Sequence, residues 1–275
     1  MDLSPYEFSA DDLVVEDALA VLNRTGFVIL RGLLREHVEP IMAEVRHAVD
    51  LAKGQRDTAT RARFGWLTPE GAVFNAKSKE PDPRAPWPKT PDEGSAEDKP
   101  QQLIVVPISH RNCPPMLASA RDPKLRAIVE GHFKEDAFIL GNGQCMYKEA
   151  HGGTAMALHQ DGVYSPESYE EVLTCYTYLT PTSLDGGCIR LVPHSHEAGL
   201  LRTREEYVDD ALPAELADWP DTIAIPGEPG DTVIWHWYMV HGSQPNFADH
   251  DRPTVLARYG PKREAEMAKE GLKQW

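Results

Sequence analysis

Between residues 137 and 259 the chain is cut into short runs of β-branched and aromatic residues, each closed by glycine, proline, aspartate or serine. The runs fall at 137–140, 144–148, 172–179, 188–192, 222–225, 232–237 and 254–259. A helix needs an apolar stripe sustained over several turns, and these runs are too short to carry one. Short strands at such spacing close into a sandwich or barrel. The expectation is a mainly β fold, a double-stranded β-helix of the jelly-roll or cupin-like type.

Ahead of it the texture is helical. A helix is predicted over 9–23, with Ser9 or Asp11 as its cap and Leu13, Ala18, Val21 and Leu22 on its apolar face. Thr25-Gly26 ends it, and 27–30 reads as a buried strand. A second helix is predicted over 36–52, where Val38, Ile41, Met42, Val45, Val49 and Ala52 recur at three- and four-residue steps. These helices should pack against the barrel. From about 55 to 100 prolines crowd in, with Trp66, Phe74 and Trp87 between them, and long helices or central strands are forbidden there. Two readings stand for that stretch, a lid over a substrate and a passive surface loop. A strand at 103–106 and a helix capped by Asp122 with Pro123 in its first turn follow. The acidic segment 203–219 reads as an insertion between strands. A chain of 275 residues accommodates all of this as one domain: a helical part at about 1–54, the loop at 55–100 and the β core at about 101–262.

The formal net charge of −15 argues against non-specific binding to nucleic acid or to an anionic membrane, and favours a cationic or neutral small-molecule substrate over a polyanionic one as the expected partner. Cys113, Cys145, Cys175 and Cys188 lack any CxxC spacing and are expected to be reduced, buried thiols. The first residues carry no basic and apolar leader, and no apolar run is long enough to span a bilayer, so a cytoplasmic location is expected.

The chemistry concentrates in His159-Gln160-Asp161 and the distant His241-Gly242-Ser243. On a strand, residues two apart share a face, so His159 and Asp161 would present an imidazole and a carboxylate together. With His241 as a third leg the set is two histidines and one carboxylate, which suits non-haem Fe(II) and leaves positions open for a co-substrate and O2. Arg252, eleven residues after His241, supplies the planar fork that grips the far carboxylate of a chelating 2-oxoacid, and Ser243 adds a hydroxyl. Arg258, six residues further on, shares Arg252's strand face and competes with it for that role. His194 and His196 form a second pair, read as a turn near the site. His236, between two tryptophans, is read as a packed core residue.

In this combination the chain resembles the phytanoyl-CoA dioxygenase family of Fe(II)/2-oxoglutarate-dependent oxygenases. The likeness rests on Leu158-His159-Gln160-Asp161, on Asp185-Gly186-Gly187-Cys188 through Val192-Pro193-His194-Ser195-His196, and on Gly230-Asp231-Thr232-Val233-Ile234. His241-Gly242-Ser243 with Asn246, Arg252, and Gly26 through Gly32 complete it. The resemblance implies iron on His159, Asp161 and His241, and 2-oxoglutarate on Arg252 and Ser243, with Gln144 and Tyr176 also contacting the co-substrate. It implies that O2 is consumed, that 2-oxoglutarate leaves as succinate and CO2, and that a substrate C–H bond is oxidised. Asp161 fills a position where halogenating relatives carry a small residue, so hydroxylation or a related oxidation is expected. Two other readings remain: a non-oxidative metal enzyme of cupin type, such as an isomerase, and a catalytically silent binding module. Trp66, Phe74, Trp87, His151, Tyr164 and Trp237 are candidate walls of a substrate pocket.

Overall fold

Two β-sheets face each other, and the chain crosses between them repeatedly from residue 138 onward. The computed structural model describes residues 2–62, 65–75, 102–153, 155–164, 169–201 and 222–271. At the N-terminus β1 (Glu7–Ser9) pairs in parallel with β2 (Phe27–Arg31), and α1 (Val15–Thr25) connects them. Because residues 7–9 are held in the sheet, the helix starts later than the predicted 9–23. Val14 stands at its cap position and no side chain caps it. Gly26, left-handed, ends it as expected. The second helix, α2 (Val38–Gly54), buries Ile41, Val45, Ala48, Val49 and Ala52 as the periodicity predicts.

The proline-rich stretch begins differently from the prediction. Three short strands, β3 (Thr60–Ala62), β4 (Gly65–Leu67) and β5 (Val73–Asn75), extend the larger sheet beyond β6 (Gln102–Val106). Trp66 and Phe74 face each other across β4 and β5 and are buried in the cluster formed with α2. Arg61 lies over the Trp66 ring and Arg56 over the Phe74 ring, at 4.5 and 5.4 Å. These aromatics are core, not pocket wall. Residues 76–101, Trp87 among them, and the predicted insertion at 203–219 lie outside the described residues.

After α3 (Pro114–Ser119) comes α4 (Pro123–Phe133), where the Asp122 carboxylate accepts from the amides of Lys124 and Leu125, the expected cap. The barrel then runs β7 (Phe138–Lys148), β8 (Met156–His159), β9 (Leu173–Tyr178), β10 (Ile189–Leu191), β11 (Ile223–Ile225), β12 (Thr232–His236), β13 (His241–Ser243) and β14 (Arg252–Gly260). A terminal helix, α5 (Lys262–Gly271), which the sequence reading did not anticipate, packs on β7 and β14. Strands β12-β9-β14-β7 form the barrel part of the larger sheet, and β11-β10-β13-β8 form the smaller one. This is the double-stranded β-helix. The predicted strands at 137–140 and 144–148 are one strand. Gly141 and Gly143, both at φ +66°, make a bulge that shifts the register of β7 against β14.

Between the sheets lies a core of Tyr176, Tyr178, Ile189, Leu191, Ile225, Val233 and Trp235. Behind the larger sheet, α1 and α4 cover one cluster, and α2 and α3 another. All four cysteines are free and buried. No helix among the described residues is long and apolar enough to cross a membrane.

Candidate active site

Antiparallel pairing of β13 with β8 sets His241 directly opposite His159, and their rings stand 4.2 Å apart. β8 ends at His159, so the expected strand does not carry Asp161. The carboxylate instead opens a 3-10 turn, Asp161–Tyr164, which bends it back toward the two imidazoles. One ligand atom from each of the three residues lies within 4.8 Å of the others, and all three side chains are buried. His241 Nδ1 faces the carbonyl of Met239 at 2.9 Å. A carbonyl can only accept, so Nδ1 carries the proton and Nε2 presents its lone pair, 3.8 Å from Asp161 Oδ1.

Electrostatics keep these donors ready for a cation. Burial alone would raise the Asp161 pKa, but Arg258, the two histidines and the Thr174 hydroxyl together hold it down to about 2. The hydroxyl donates to Oδ2 at 2.7 Å. Burial lowers the pKa of His241, which favours the neutral imidazole that ligation requires. The donor set of two imidazoles and one carboxylate fits a divalent first-row metal such as iron.

Gln160, between two of the donors, uses its whole amide. Its nitrogen donates to the carbonyls of Tyr238 and Gly199, at 2.6 and 2.8 Å, and its oxygen accepts from the Leu201 amide at 2.9 Å. The segment 199–201 is thereby tied to the donor motif. Gln160 was legible only as a spacer.

At the other end of the inward face of β14, Arg252 is 2% exposed. It donates to the Tyr176 hydroxyl, to Thr254 Oγ1 at 3.3 Å and to the Gly187 carbonyl at 2.9 Å. Its Nε has no partner, and no carboxylate among the described residues pairs with it. A buried cation with only neutral partners is costly unless an anion arrives. Lys148 stands opposite Arg252 across β7 and β14, and its ammonium donates to the Gln244 carbonyl at 2.9 Å. Burial, and then Arg252, push its pKa well below the ordinary lysine value. Lys148 carries no local signal in the sequence, although it shares the face of Gln144 four residues earlier.

Between the two ends, Gln144, Leu256 and Tyr176 form one cross-strand row, with Gln144 exposed and Tyr176 buried. Ser243 is buried two residues beyond His241 on β13. Arg258 does not join Arg252. Its guanidinium reaches Asp161 Oδ1 at 3.5 Å and lies over the Trp237 ring at 5.4 Å.

Gly187 has φ +69°, and a Cβ there would sit 2.5 Å from the Gln244 carbonyl oxygen. Gly187→Ala should therefore destabilise the fold by about 1–3 kcal/mol, read as a lower midpoint in urea unfolding.

Other expected residues fall elsewhere. His194 is exposed beside Glu197, in the turn predicted for it. The rings of His196 and His236 lie 5.5 Å apart, tilted by 50°, and neither joins the cluster of donors. β12 ends at His236, and His241 opens β13 in the other sheet. His151 is exposed in a loop. The Tyr164 side chain is outside the described residues.

Comparison with known proteins agrees with this architecture. The profile of the phytanoyl-CoA dioxygenase (PhyH) family matches residues 22–254. The chain belongs to that family. A methylphosphonate hydroxylase of Gimesia maris is 28% identical over 140 residues, covering 48% of this chain and 51% of that protein. A 1-deoxypentalenic acid 11-beta-hydroxylase of Streptomyces exfoliatus is 29% identical over 140 residues, covering 45% and 48%. The chain spans about half the length of these curated relatives. Among solved structures, the non-heme alpha ketoglutarate dependent carbocyclase SnoK from nogalamycin biosynthesis superposes with a TM-score of 0.62 at 19% identity, over 93% of this chain and 87% of its own. The epimerase SnoN, in complex with Fe3+, alpha ketoglutarate and nogalamycin RO, gives 0.64 at 20% identity, over 90% and 83%. At that identity the likeness is one of fold.

Proposed function

We propose that this PhyH-family protein is an Fe(II)- and 2-oxoglutarate-dependent dioxygenase that oxidises a C–H bond of a small organic molecule, releasing succinate and CO2. The observation that carries the reading is a pair of features in one barrel. Three buried donors converge at His159, Asp161 and His241, and at Arg252 stands a buried arginine with no carboxylate partner among the described residues. Bound iron with 2-oxoglutarate and O2 would supply the oxidising power.

The chain's own groups then divide the work. His159, Asp161 and His241 would hold the metal. Arg252 grips the far carboxylate of the co-substrate, and Ser243 lies on the strand that carries His241. Tyr176 orients the guanidinium through its hydroxyl. Gln144 borders the cleft from the exposed side. Residues 1–275 are taken to act as one domain, with the helices serving as backing for the larger sheet. A non-oxidative isomerase would have no use for a dicarboxylate anchor, so Arg252 weighs against that alternative. It weighs equally against a silent binding module, because the metal donors accompany it.

Anaerobic titration of the protein with Fe(II) and 2-oxoglutarate should produce a weak metal-to-ligand charge-transfer band in the visible. On admitting O2, succinate should form. A wild-type protein that gives neither would defeat the proposal, as would a His159→Ala variant that retains both.

A further inference from the structure

The inward face of β14 carries two arginines, and the proposed chemistry accounts for only one. Arg252 and Arg258 are six residues apart, roughly 20 Å along an extended strand, with the cross-strand row of Gln144, Leu256 and Tyr176 between them. One small dicarboxylate reaching from the metal to Arg252 cannot also engage Arg258.

Arg258 sits on the donor side of the cleft. Its partners among the described residues are Asp161 Oδ1 at 3.5 Å, the far limit of a hydrogen bond, and the face of Trp237. Its Nε is buried without a partner, yet 26% of the side chain remains open to solvent. Of its five N–H donors, one is engaged by a described residue, and weakly. Asp161 Oδ1 is also the oxygen nearest His241 Nε2, so a bound metal would compete for that one contact.

Charge points the same way. A divalent metal and a 2-oxoglutarate dianion cancel, and Asp161 offsets one guanidinium. Leaving Lys148 uncounted, at least one positive charge is left over in a largely desolvated cleft, where a fork of N–H groups matches an oxyanion well.

We propose that Arg258, backed by Trp237, is the subsite for an anionic group on the substrate, a carboxylate or a phosphonate, held beside the metal and opposite the co-substrate anchor. The substrate class is therefore small organic anions. This rests on the oxygenase reading for the position of the metal, but the guanidinium itself can be tested without it. The negative surface of the whole chain does not oppose this, because a local cation dominates at contact distance and distant charges are screened.

The test is calorimetric titration of the anaerobic Fe(II)·2-oxoglutarate protein with ethylphosphonate, propionate and the neutral propionamide. At least one anion should bind roughly tenfold or more tightly than the amide. Arg258→Gln should erase that preference, and Arg258→Lys should keep part of it. The charge-transfer band should survive in both variants. Preference for ethylphosphonate or for propionate identifies the anion, and either result supports the subsite. Equal binding of propionamide by wild type, or an undiminished anion preference in Arg258→Gln, overturns it. If Arg258→Gln loses its metal, or if wild type forms no ferrous complex, the same titration is run metal-free in an Arg252→Gln background. A missing wild-type band then counts against the oxygenase reading alone. Identical anion affinities with and without Arg258 in that background overturn this one.

Discussion

Asp161→Ala protein should bind Fe(II) at least about 100-fold more weakly than wild type and form no measurable succinate. Losing even an outer partner of a metal ligand costs roughly 10- to 100-fold in affinity or activity, and Asp161 is a direct donor and the only anionic one of the three. Its contacts make it hard to replace. Thr174 fixes Oδ2, the 3-10 turn fixes the backbone, and Oδ1 is left turned toward the histidines. The substitution should spare the fold, since Arg258 can turn to solvent through its exposed part and only the Thr174 hydroxyl loses a buried acceptor. Chelator competition at neutral pH provides the measurement, with circular dichroism as the check on folding. Iron affinity within fivefold of wild type would mean that the metal sits elsewhere. The pH profile should agree. Burial lowers the pKa of His241 from its ordinary 6.5, so protons displace the metal only below that value, and affinity should be flat at neutral pH and above.

The second large effect is expected at the opposite end of the cleft. Arg252→Gln should weaken 2-oxoglutarate binding by roughly 100-fold, about 3 kcal/mol, the range found when one partner of a buried charged pair is truncated. Iron affinity should stay within about threefold, because no contact joins Arg252 to the three donors. Arg252→Lys should recover little. An ammonium cannot serve Tyr176, Gly187 and a carboxylate together, as the planar fork does. Anaerobic titration of the charge-transfer band with 2-oxoglutarate reads both constants. If Arg258→Gln, not Arg252→Gln, weakened the co-substrate, the two arginines would have to exchange roles.

The sequence made the barrel legible because the strands are short β-branched and aromatic runs between turn residues, and because the three donors and Arg252 lie at the ends of strands or next to them. It could not place Asp161 correctly. Two-residue spacing implies a shared strand face, whereas the chain turns at Gln160 and delivers the carboxylate by a 3-10 bend. It took Gly141-Asn142-Gly143 for a turn between two strands, since a bulge and a turn both call for glycines with positive φ. Trp66 and Phe74 looked like pocket walls among prolines. Only the pairing of β4 with β5 under α2 reveals them as core. Lys148, Thr174 and Gln160 escaped notice for a common reason. Each acts through tertiary neighbours, and nothing in its local sequence distinguishes it from an ordinary strand or spacer residue.

The pairing of His159 with His241 reaches beyond chemistry. Among the described residues β8 is the edge strand of the smaller sheet, with four residues and a single neighbour, β13. An ion held by both histidines would act as a rivet across that seam, opposing both fraying of the edge and slippage of its register. Occupancy by the metal and closure of the barrel's rim would then be one linked equilibrium, so that the supply of iron sets how much of the protein is fully assembled as well as how much is active.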